Sequence, residues 1–309
     1  MRIACLIVFS ALLFGPMSCH NRNQKPKHDE SGKSKAVEGK LLFSEGEKRG
    51  ALKDKKLNEV SGLAASMANP GLLWTLNDSG NKPEIYLIDV ETNIKKTYVL
   101  EGVSNRDWEE LALGPGPKPG KTYLYVGDIG DNMAIHKYKY IYRFEEPVYH
   151  ADAGKGKIEI ADFDTIVFSL SDEQRDTEAF AVDPRTSDIY IISKWSRPVN
   201  LYQLKTTAAK HDTAIAQHIG TLPISIVVAA DFSRDGSELL IKTINDVFYW
   251  KRPADMPVLA MLQEPGSSLP YSREPQGESV AWSDTGDGYY TLSEQKKDEP
   301  VHMMFYRRK

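Results

Sequence analysis

The chain has 309 residues, 41% hydrophobic and 27% charged, proportions that exclude a disordered or low-complexity protein and allow one large domain or two small ones. Its formal charge of -4 at pH 7 is spread along the sequence, so there is neither a basic footprint for nucleic acid nor an acidic tail. Composition by itself names no partner.

In chain order, Met1 and Arg2 precede an apolar run over residues 3–14, too short to span a bilayer and of the length of a signal-peptide core. The "GPMSC" that follows resembles a bacterial lipobox, with small Ser18 before Cys19 and Pro16 where that pattern has Leu. Residues 1–18 are expected to be removed and Cys19 to carry the lipid; the plainer alternative is an ordinary cysteine beside a conventional cleavage site. The only other cysteine, Cys5, lies inside the apolar run, so no internal disulfide is available to the exported protein. Residues 19–40 are polar and without period, which reads as a flexible tether. The expected setting is a lipoprotein of the bacterial envelope that meets the bilayer only through its N-terminal anchor, the outer membrane favoured.

Residues 41–309 read as one domain built on an internal repeat. A polar residue, a small one, an apolar one and Ala or Ser recur five times, in "SGLA" from Ser61, "EELA" from Glu109, "EAFA" from Glu178, "ADFS" from Ala230 and "ESVA" from Glu278. Each copy leads to an apolar strand with a polar ending, at Asp78, Asp128, Lys194, Thr243 and Glu294. A third strand then carries an aromatic ring in one slot: Tyr86, Tyr142, Tyr202, Phe248 and Phe305. Fourth strands are expected at residues 97–100, 165–169, 217–222 and 258–262. The last repeat lacks one, and residues 41–43 or 50–52 could supply it and close the ring. Short strands in repeats of about fifty residues, with turns such as "SRDGS" between them, predict an all-β fold: a β-propeller of five four-stranded blades, with six as the alternative.

Strands one and two of a blade are antiparallel, so the start of one and the end of the other share a rim of the central channel. That gathers Glu109, Glu178 and Glu278 with Asp78, Asp128, Lys194, Lys242 and Glu294, and brings Arg106, Arg175 and Arg273 nearby. The expected ligand-binding set is Arg106, Glu109, Arg175, Glu178, Lys194, Lys242, Arg273, Glu278 and Glu294. The plainer reading is that Gly, Asp and Asn end strands because turns suit them, and that Glu beside Arg is a structural ion pair. The runs "NDSGN" and "GDIGDN" offer Asp78, Asn81, Asp128, Asp131 and Asn132 as hard oxygen donors for calcium, although neither matches an EF-hand loop. Zinc ligand spacing is absent, as are GxSxG, GxxxxGK[ST] and HExxH. Glu109, Glu178 and Glu278 are the candidates for acid or base chemistry. Trp108 and Trp195 could stack on a sugar or simply pack between blades.

The combination "EVSGLA", "NDSGN", "DWEELALG", "GDIGDN", "DTEAFAVDP" and "GESVAW" resembles exported bacterial propellers of the phytase-like and SdiA-regulated families, from about Asn58 onward. The resemblance implies a channel lined by the Glu-containing repeat at Glu109, Glu178 and Glu278, with bound calcium, and with Lys194 and Lys242 as anion contacts. The expected function is to bind a small polar or anionic ligand at one channel mouth, with calcium as the candidate cofactor. A calcium-assisted phosphoesterase-like hydrolase and a scaffold for another envelope protein are the alternatives.

Overall fold

The computed structural model describes residues 41–309, except 153, 155, 207–212 and 297–299. The signal segment, Cys19 and the tether lie outside the described residues. In chain order the first strand is β1 (Glu47–Ala51), followed by the antiparallel meander β2 (Val60–Ala65), β3 (Leu72–Asn77), β4 (Glu84–Asp89) and β5 (Ile94–Leu100). A second unit comprises β6 (Trp108–Pro115), β7 (Thr122–Asp128), β8 (Lys139–Glu145) and, after β9 (Ile158–Ile160) has added itself parallel to β5, the strand β10 (Asp164–Leu170). The third is β11 (Thr177–Val182), β12 (Ile189–Ser193), β13 (Val199–Leu204) and β14 (Ala214–Leu222), whose last strand pairs parallel with β10. The fourth is β15 (Val227–Phe232), β16 (Glu238–Thr243), β17 (Val247–Lys251) and, after helix α1 (Val258–Gln263), the short β18 (Ser267–Ser268). The fifth is β19 (Gly277–Trp282), β20 (Gly288–Ser293) and β21 (His302–Arg307), completed by β1 on its outer edge.

The first strands β2, β6, β11, β15 and β19 lie side by side in sequence and β19 returns to β2, the radial arrangement of a propeller. Closure uses both of the expected N-terminal stretches: β1 pairs with β21, and Phe43 bridges Arg308. Residues 258–262, expected as a strand, are helical. Val258, Met261 and Leu262 are the buried residues there, at helical spacing, and the remaining Leu259, Ala260 and Gln263 are all good helix formers.

The core lies between units rather than in the channel. Among the described residues there are five apolar clusters, each shared by two adjacent units. Leu111, Phe180 and Val280 face the preceding unit, whereas Ala112, Ala181 and Ala281 face the following one. A bulky face thus meets a small one at these joints, which is what wedge-shaped packing requires. Tyr86, Tyr142, Tyr202 and Phe248 all sit in the cluster toward the preceding unit, which explains the repeated aromatic slot.

Candidate functional site

The pairing of first and second strands skips one residue near the start in every unit, at Gly62, Glu109, Glu178, Val228 and Glu278. These are β-bulges, which turn a side chain out of the regular alternation and occur often beside functional sites. Gly62 has φ of +71°, the left-handed conformation that glycine adopts without strain. In three units the bulged residue is glutamate, and its carboxylate is aimed at the channel mouth. The fourth repeat has a different register from the one its sequence implies, since Val228 and not Ala230 corresponds to these glutamates.

Glu109, Glu178 and Glu278 are buried, and around them stand the half-buried Asp78, Asp107, Lys194 and Glu294. Carboxylate oxygens of Asp78, Asp107 and Glu109 lie within 4.8 Å of one another, and so do those of Asp78, Glu278 and Glu294. Asp78 belongs to both triplets. The Lys194 ammonium donates to Glu178 and lies 3.9 Å from Glu278. Gly130 explains part of the "GDIGDN" run, because a Cβ there would collide with the carboxylates of Glu109 and Asp107.

So many acids around one ammonium raise each other's proton affinity. Burial is the main cause at every one of them. It pushes Asp107 up to about 6, helped by Asp78 and Asp176, and raises Glu109 well above its ordinary value, helped by Glu178 and Asp78. Asp78, Glu178 and Glu278 are raised as well, against the pull of Lys194. Glu294 is pushed up to about 9 and shares its proton with Glu278 in a carboxyl–carboxylate hydrogen bond. Burial opposes the charge on Lys194, but Glu178, Glu278 and Glu109 outweigh it and raise that lysine.

The other expected residues lie elsewhere. Asp128 sits one step inside its strand, and a shift of one residue turns a side chain to the opposite face; there it pairs with Arg106 at 3.1 Å. Arg175 binds Asp172, Glu173 and the Tyr202 hydroxyl. Arg273 is exposed. Lys242 is fully buried, donates to the carbonyls of Gly277 and Thr243, and lies over Tyr271. Of the five proposed calcium ligands only Asp78 joins the carboxylate triplets. Asn81 donates to the Asp78 carbonyl and to Glu59, Asp131 accepts from the backbone of Ile135 and His136, and Asn132 is exposed. The tryptophans divide: Trp108 is core, against Tyr142, whereas Trp195 is 59% exposed and held at the mouth by Asp176 at 2.7 Å.

Three contributors were missed. Asp107 and Asp176 stand two residues before Glu109 and Glu178, so a repeated "RD-x-E" in the sequence carried the signal. Glu110 had none: its carboxylate reaches across the channel to accept from the backbone N–H of Ala230 at 3.1 Å, besides those of Leu111 and Leu63. It bridges three first strands beneath the mouth.

No protein-family model matches the chain, and no curated protein does. Among solved structures, the PQQ-bound form of an aldose sugar dehydrogenase from Streptomyces coelicolor superposes with a TM-score of 0.50 at 10% identity, covering 86% of this chain and 99% of that one. At that identity the likeness is one of fold, and it agrees with the radial all-β arrangement: the chain folds as a β-propeller.

Proposed function

We propose that this chain is an exported, lipid-anchored envelope propeller whose acidic mouth holds a divalent cation, calcium by its donor chemistry, and binds a small polyhydroxylated ligand there. The observation that carries the reading is Asp78, shared by two carboxylate triplets on a rim where carboxylates outnumber the nearby ammonium. A cluster of hard oxygens with excess negative charge suits calcium, which takes six to eight such ligands. Hydroxyl groups can complete the coordination and donate to the remaining carboxylates, and the exposed Trp195 ring offers a sugar its apolar face. An anionic ligand would be repelled by this rim unless the cation mediates. PQQ is itself a tricarboxylate, and a mouth whose nearest ammonium is already paired with Glu178 does not fit it. The phytase-like resemblance supports the calcium part of this reading, and Cys19 its membrane anchor.

The test is a thermal melt with and without calcium. At a concentration about a hundredfold above Kd, binding adds about 2.7 kcal/mol, or roughly 5–10 °C for a domain of this size. Asp78→Asn should abolish the gain, whereas Asp131→Asn, altered at a turn, should keep it. No gain in the native protein, or an undiminished one in Asp78→Asn, would refute the proposal.

The protonated Glu294 beside Glu278 supports a second reading, a hydrolase in which calcium sits on the other triplet, Asp78, Asp107 and Glu109, and Glu294 is the general acid. Hydrolysis of phosphate esters in the presence of calcium should then drop at least a hundredfold in Glu294→Gln, taking the usual contribution of a general acid. Hydrolysis indifferent to that change would remove this reading and leave the binding protein.

A further inference from the structure

The opposite mouth of the channel is a cavity of about 350 Å³, within the range of small-molecule sites, at the far ends of all five first strands. Leu113, Val182, Phe232 and Trp282 give it mostly apolar walls. Asp231 and Asp284 line it as well, with Lys121, which pairs with Glu145, and the exposed Arg234, neither of which forms an ion pair with Asp231. Asp231 occupies the strand position that is Ala112, Ala181 and Ala281 in three other units, so a carboxyl replaces a methyl where packing asks only for a small residue. It accepts from the backbone N–H of Trp282 at 2.8 Å and forms no ion pair among the described residues. It also remains only half-buried, presenting its accessible surface to the cavity.

The surrounding electrostatics point to a cation. Glu110, the buried acid that bridges three strands inside the channel, is close enough for Asp231 to raise its proton affinity, and it too lacks an ion pair among the described residues. Both acids hold their protons at neutral pH for want of a counter-ion, so an ammonium group entering the cavity would let Asp231 ionise, release its proton and gain the partner that the fold does not supply. Burial pushes Asp231 up to about 8, the mark of a carboxyl that the protein leaves without a counter-ion. None of the acids of the rim lines this cavity, and Glu110, with Gly62 packed against it, stands on β6 between the rim residue Glu109 and the cavity residue Leu113.

We propose that this second mouth binds a small organic ammonium compound with an apolar body, its nitrogen donating to Asp231 and its body lying against Leu113, Val182, Phe232 and Trp282. The site is independent of the calcium proposal. The probe is tryptamine, with tryptophol as an uncharged counterpart of nearly the same shape, titrated calorimetrically into the full-length protein. Tryptamine should bind at least tenfold more tightly than tryptophol, and Asp231→Asn should erase that preference. Because Asp231→Asn could disturb the fold, Leu113→Trp, which fills the cavity from its wall, serves as a second variant and should block tryptamine. Absence of tryptamine binding, equal affinity for both compounds, or undiminished binding in a folded Asp231→Asn or Leu113→Trp protein would overturn the proposal.

Discussion

Replacing Asp183 with leucine is expected to cost about 3–5 kcal/mol of stability, the usual penalty for stripping one partner from a buried ion pair. Asp183 follows β11, and both of its oxygens accept from the Arg252 guanidinium beyond β17 at 2.9 Å. Both residues are buried, and the pair joins the third unit to the fourth. Without the carboxylate, Arg252 would keep its charge in the interior beside the Phe232 ring, with no other ion-pair partner among the described residues. The double variant Asp183→Leu with Arg252→Met should recover much of the loss, because no charge is then left buried alone. Urea melts of both variants, with Glu47→Ala at the exposed Arg49 pair as a control expected to change stability by less than about 1 kcal/mol, provide the measurement. Equal losses in the single and double variants would show that packing, not charge, holds this joint. The Asp183 carboxyl is held below its ordinary value by Arg252 despite burial, so its stabilisation is present above about pH 4 and fades as the pH falls through the lowered value.

Such joints explain why the propeller could be read from the sequence. Each unit meets its neighbour through the same kind of surface, so the aromatic slot and the large-small alternation of the first strand recur as packing requirements. The helix at Val258–Gln263 escaped because a five-residue apolar run fits a buried strand as well as a helix. The acidic mouth was half legible. Glu109, Glu178 and Glu278 stood out by recurrence, but their common feature is a bulge, which belongs to the pairing of two strands and not to either sequence alone. The same limit misplaced Asp128 and Lys242. "YVGD" and "LIKT" look like strand endings equivalent to "WTLND", yet where the ladder stops decides which side chain reaches the rim.

Between pH 5 and pH 7.5 the calcium-free protein is expected to lose stability, and calcium to restore more of it at the higher pH. Asp107, raised to about 6, Glu178 and Asp231, raised to about 8, and Glu294, raised to about 9, all bind protons more tightly when folded than unfolded. Burial is the first cause at each. Over this window the native state therefore holds protons that the unfolded chain has released, so unfolding becomes easier as the pH rises. The slope is about 1.4 kcal/mol per pH unit for each carboxyl kept fully protonated, an upper limit for groups that titrate together. Lys139 and Lys242, lowered by burial to about 8, act in the opposite sense, but only between about pH 8 and their ordinary value near 10.5, which is why the window closes at 7.5. Calcium competes with protons for Asp78, Asp107, Glu109, Glu278 and Glu294, so its binding should release protons into a weakly buffered solution and tighten as the pH rises. Asp231, on the far side of Glu110, should keep its share of the pH dependence with calcium bound, and Asp231→Asn should remove that remainder. Urea melts at the two pH values, with and without calcium, measure all of these effects. A calcium-free stability that is flat or rising across the window would contradict the crowding of uncompensated carboxyls, and a calcium gain independent of pH would place the ion away from the raised carboxyls of the mouth.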